Sequence, residues 1–107
     1  MPIPPETLNA MLVAREVHTG VYKSRQARIA VVVRVKQGHV HYLRLAPNCT
    51  IELVQSFDEK FLQDFPVELF HYPVMRAVRR YASYVRKDGF PITEEARKVI
   101  NAILSKP

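Results

Sequence analysis

The chain has 107 residues, 48% of them apolar and 24% charged, which suits one folded domain with a single core and excludes the low-hydrophobicity signature of a disordered chain. Sixteen basic residues against ten acidic ones give a net charge of +6, favouring an anionic partner. One cysteine excludes an intramolecular disulfide, and the absence of any run near ~18 apolar residues excludes a spanning helix, so a cytoplasmic protein without a membrane partner is expected.

Residues 4–17, PPETLNAMLVAREV, mix helix formers with an alternating pattern, and a strand is expected over Met11–Val17. Thr19-Gly20 turns the chain, and Val21-Tyr22-Lys23 begins another short strand. In RIAVVVRVK, Ile29, Val31, Val33 and Val35 alternate with Arg28, Arg34 and Lys36, the pattern of a half-buried strand. Gln37-Gly38 then turns it into a second alternating run, His39–Leu45, as a hairpin. Pro47-Asn48 makes a further turn, and Thr50–Phe57 reads as another strand. Ser56 and Asp58 are suited to cap a short helix, DEKFLQDF, that Pro66 stops. Pro73 opens a helix ended by Gly89 and Pro91, and Thr93 caps a last one whose Ala96, Val99, Ile100, Ile103 and Leu104 form an apolar stripe.

These elements specify an α+β fold: a small antiparallel sheet over residues 11–57, a short helix and linker over 57–70, and a C-terminal helical pair over 73–105, all in one domain spanning 1–107. Ile29, Val31, Val33, Val35, Tyr42, Val78, Tyr81, Val85, Val99, Ile100 and Ile103 are the expected core. In residues 20–65, Gly20-Val21-Tyr22, the AVVVRVKQGHVHYLR hairpin and SFDEKFLQDF resemble small SH3-like barrel accessory proteins of phages and plasmids. That resemblance implies a partly open barrel and a binding module rather than an enzyme.

Charge is unevenly placed. Residues 1–57 hold seven basic and three acidic residues, 58–72 one and four, and 73–107 eight and three. On the helix after Pro73, Arg76, Arg79, Arg80, Arg86 and Lys87 fall within an arc of roughly 120° opposite Val74, Val78, Tyr81 and Val85. No acidic residue between Pro73 and Lys87 relieves their repulsion, and guanidinium forks suit phosphate or carboxylate. Tyr84, at the stripe's edge, is placed to stack on a base. The competing reading neutralises this face internally against Asp58, Glu59, Asp64 and Glu68.

In a two-residue-turn hairpin Lys36 pairs with His39 and Arg34 with His41, so the tip gathers four basic or titratable groups on one face. His39 and His41 have metal-ligand spacing, but the surrounding positive charge opposes a divalent cation, and neither metal nor cofactor is expected. The helix-turn-helix pattern is a poor fit, because Glu94 and Glu95 stand where such a motif meets bases. With Cys49 far from any histidine in sequence, and with no Gly-rich phosphate loop, no catalytic role is expected.

The expected function is therefore a non-enzymatic, sequence-indifferent nucleic-acid or polyanion binder acting through Arg76, Arg79, Arg80, Arg86 and Lys87, aided by Arg34, Lys36, His41 and Tyr84. The alternative is a regulatory or inhibitory module of a mobile element that docks on an acidic protein surface or forms a homodimer through the apolar 65–70 linker.

Overall fold

The computed structural model describes residues 16–106. In chain order the elements are β1 (Gly20–Lys23), β2 (Ile29–Lys36), β3 (His39–Leu45), β4 (Ile51–Phe57), α1 (Asp58–Asp64), β5 (Val67–Glu68), α2 (Val74–Asp88) and α3 (Glu94–Leu104). The five strands form one antiparallel sheet in the order β4-β3-β2-β1-β5. The sheet does not close into a barrel; β4 and β5 are its edges. The strand expected over Met11–Val17 lies outside the described residues except for Glu16 and Val17, which are irregular.

Gln37 (φ 53°) and Gly38 (φ 75°) form the β2–β3 turn, with positive φ at both central positions as a tight two-residue hairpin requires. The predicted pairs Lys36↔His39 and Arg34↔His41 are present. Further down, Val32 pairs with Tyr42, so two residues of β2 advance while β3 advances one, and Val33 is a bulge.

The expected single stripe on β2 is accordingly not found. Val31 is fully buried, Ile29 and Val33 are half-buried, and Val35 is 38% exposed, while Ala30 and Val32 are fully buried on the other face. The bulge turns Val35 to the side opposite Val31, and the sheet is covered on both faces. A strand packed on both sides reads as a continuous apolar run, and AVVV is that run.

On one face Val21, Val31, Leu43 and Ile51 pack against Ala77, Val78 and Tyr81 of α2 and Ala96 and Ile100 of α3. On the other, Tyr22, Ala30, Val32, Val40 and Tyr42 pack against Phe61 and Phe65 at α1. The Phe61 ring lies 5.1 Å from Tyr22, 4.8 Å from Tyr42 and 5.3 Å from Phe65, giving α1 an aromatic anchor. Val85, Val99 and Ile103, expected in the core, are half-buried at its margin.

The chain enters α1 from β4 with no intervening residue, which overturns the expected cap. Ser56 is held in the ladder opposite Val40, Phe57 takes the cap position, and no side chain caps the helix. The Asp58 carboxylate instead accepts from the Glu59 N–H at 2.7 Å.

The C-terminal helices follow their signals more closely. Pro73 stands at the cap of α2, Gly89 ends it at φ 68°, and the Thr93 hydroxyl accepts from the Ala96 N–H at 3.3 Å. Tyr81 Oη donates to the Ile29 carbonyl at 2.8 Å and ties α2 to β2. The α2–α3 connection is pinned to β4, because Ile51 N–H donates to the Pro91 carbonyl at 2.8 Å and Thr93 N–H to the Ile51 carbonyl at 3.0 Å.

Candidate nucleic-acid interface

The amphipathic pattern of α2 places Ala77, Val78 and Tyr81 against the sheet, so the opposite arc points away from it. Arg76, Arg79, Arg80, Arg86 and Lys87 are all exposed there. The ion pairs among the described residues are His18–Glu68, Arg44–Glu52 and Lys60–Asp64, and none engages these five cations. Asp58, Glu59 and Asp64 sit on α1, across the sheet from α2, while Glu68 is 2.6 Å from His18. Neutralisation of the helix by the 58–68 segment is therefore not what the fold provides.

Tyrosines position two of the arginines. The Arg76 guanidinium carbon lies 5.4 Å from the centre of the Tyr72 ring, and that of Arg80 lies 5.7 Å from the centre of Tyr84. Arg80 Nε donates to Tyr84 Oη at 2.6 Å. Hydrogen bonding to Tyr72, then to Tyr84, raises the Arg80 pKa above its ordinary value. Tyr84, expected to stack on a base, is half-buried, with Phe90 at 5.3 Å and Tyr81 at 6.4 Å. It orients Arg80 rather than standing free.

A second basic group occupies the hairpin tip. Pairing across β2, β3 and β4 sets Arg34, His41 and Gln55 in one row and Lys36, His39 and Phe57 in the next. Both rows lie on the α2–α3 side of the sheet, since His41 alternates with Tyr42 and shares a face with Leu43. Neither row contains an acidic residue. Phe57 is 65% exposed, and its ring centre is 4.9 Å from that of His39. From Ile29, where Tyr81 anchors α2, to Lys36 is seven residues, or about 23 Å of strand. The helix face and the tip are thus separate clusters on one side of the molecule, with α2 and α3 forming a step above the tip.

Between the start of α2 and the β1–β2 and β3–β4 turns lies an open cleft of about 310 Å³, lined by Arg28, Cys49, Tyr72, Arg80, Tyr81 and Tyr84 among others. Ala27 (φ 62°) and Cys49 (φ 67°) adopt left-handed conformations at its rim. The thiol is free and exposed.

Sequence reasoning missed Phe57, read only as the end of a strand, and left His39 out of the binding set. The alternation of β4 back from Phe57, matched to that of β3, was the available signal. Among the described residues no group of three or more His, Cys, Asp or Glu side chains could hold a metal ion, and no helix is long and apolar enough to cross a membrane. Comparison of the chain with known protein families, with curated proteins and with solved structures finds no match.

Proposed function

We propose that this protein is a non-enzymatic binder of the nucleic-acid backbone, engaging phosphates through Arg76, Arg79, Arg80, Arg86 and Lys87 on α2 and through Arg34, Lys36 and His41 at the tip. The observation that carries this reading is the placement of charge about the sheet: five cations on α2 without an acidic partner among the described residues, while α1, which holds Asp58, Glu59 and Asp64, starts beside the β2–β3 turn, where Asp58 N–H donates to the Gly38 carbonyl at 3.1 Å, and packs through Phe61 on the opposite face. Such an asymmetry turns the basic side towards a polyanion before contact and gives each guanidinium a phosphate in place of a like-charged neighbour. Recognition is expected to be indifferent to sequence, because arginines spread over an outer helix face meet backbone rather than base edges.

Binding of a labelled duplex, followed by fluorescence anisotropy across a salt series, tests this. Five phosphate contacts from α2 alone predict a slope of about −4.5 in log affinity against log salt, and further contacts at the tip steepen it. Absence of binding at low salt, or binding that ignores salt, refutes the reading.

A second reading, docking on a protein surface, is favoured by one observation. At the β5 edge Phe70 is 78% exposed and Val67 43% exposed, an apolar pair beside an open strand.

A further inference from the structure

We infer that the uncovered rows at the hairpin tip are a base-stacking platform that selects single-stranded over double-stranded nucleic acid, an inference that rests on the nucleic-acid reading above. α2 and α3 cover the part of the sheet around Val31, Leu43 and Ile51, leaving Arg34, His41, Gln55, Lys36, His39 and Phe57 as a surface beyond them. Phe57 belongs to neither core cluster and does not cap α1 through its side chain. Its ring stands 65% exposed beside His39, in a row that also holds Lys36.

An exposed aromatic ring flanked by cations matches one chemistry in particular, a planar base attached to a phosphate. A duplex hides its base faces in the stack and offers this ring only phosphate and groove, whereas a single strand presents faces freely. The other occupant of an exposed phenylalanine, a second copy of this chain, is disfavoured by charge. A two-fold contact centred on Phe57 would bring Arg34 and Lys36 of one copy against the same residues of the other, with Asp58, bonded through its N–H to the Gly38 carbonyl, offsetting only part of that charge.

The division of labour follows from position. The α2 face supplies sequence-indifferent phosphate contacts to either form, and the tip adds stacking that only an unpaired strand can use. A strand held by both crosses the step from α2 to the sheet.

The test compares Phe57→Ala and Phe57→Trp with the wild type, using a labelled oligothymidine of about 12 nucleotides and a duplex of equal length. Phe57→Ala is expected to weaken binding to the oligothymidine about 5- to 100-fold, to leave duplex affinity within about twofold, and to leave the salt slope unchanged. Phe57→Trp should retain or improve single-strand affinity, and unchanged thermal unfolding of both variants shows that the exposed site does not carry the fold. Equal losses on strand and duplex, or no loss on the strand, overturn the platform while the α2 reading stands. Light scattering that shows a wild-type dimer broken by Phe57→Ala overturns it in favour of self-association. A wild type that binds neither probe overturns both readings before any variant is made.

Discussion

Replacing Arg79, Arg86 and Lys87 by glutamine isolates the electrostatic contribution of α2. Unlike Arg80, held by Tyr84, and Arg76, seated over Tyr72, these three have side chains with no hydrogen bond, ion pair or ring contact among the described residues. Their removal cuts the net charge from +6 to +3 without touching Ala77, Val78 or Tyr81. Losing Arg79 relieves an i,i+3 repulsion with Arg76 worth a few tenths of a kcal/mol, whereas losing Arg86 and Lys87 from the last turn forfeits a similar dipole interaction. Stability should therefore change by less than about 1 kcal/mol. Binding should change far more. If each residue neutralises one phosphate of a duplex, the slope of log affinity against log salt flattens by about 2.7, so the affinity lost between 50 and 200 mM salt shrinks about 40-fold. Anisotropy titrations at several salt concentrations, with thermal melts as control, measure both quantities. An unaltered slope in a folded variant would refute the assignment of these side chains to phosphate.

Two further outcomes follow from particular contacts. Tyr81→Phe removes the donor to the Ile29 carbonyl and should cost about 0.5–1.5 kcal/mol, lowering the melting temperature by several degrees. Burial holds the Tyr81 phenol above its ordinary range. The unfolded chain therefore releases this proton near pH 10 while the folded chain keeps it, so stability is complete below about pH 10 and falls above it. Melts from neutral to strongly alkaline pH should show a shallower fall for Tyr81→Phe, and parallel curves would count against the burial argument. At the β5 edge, the nucleic-acid reading expects a monomer by light scattering at micromolar concentration, unchanged by Phe70→Ser; a wild-type dimer that Phe70→Ser dissociates would move the function to protein docking.

What could be read from sequence was set by local chemistry. The glycine turn at Gln37-Gly38, the Thr93 cap, the end of α2 at Gly89 and the two-sided pattern of α2 depend on neighbours within a turn or two, and each is present. What escaped depends on distant partners. Nothing near Asp58 indicates that α1 crosses to the face opposite α2, yet that crossing buries Ala30 and Val32 and keeps the acidic residues away from the arginines. The two-residue β5 is too short to carry a period of its own and exists because Val67 and Glu68 pair with Lys23 and Tyr22. At the site, the five basic positions of α2 were legible from helical spacing, but the fixing of Arg80 by Tyr84 and the exposure of Phe57 required the packing of β3, β4 and Phe90 around them.

The bulge at Val33 gives β2 one residue of slack between two independently determined registers. Below it, Val31 and Val32 are locked to Leu43 and Tyr42 by the core; above it, Lys36 is locked to His39 by the turn. Were Val33 drawn into the ladder opposite His41, Arg34 would move opposite Val40 and emerge on the α1 side. The side on which β2 displays its charge at the tip is thus an address written by the Gln37-Gly38 turn. Lengthening that loop by one residue would carry Arg34 to the other side of the sheet while His39, His41 and Phe57, held by the β3–β4 register, and every pair beneath α2 and α3 stayed in place, so the turn alone sets how much charge stands beside Phe57.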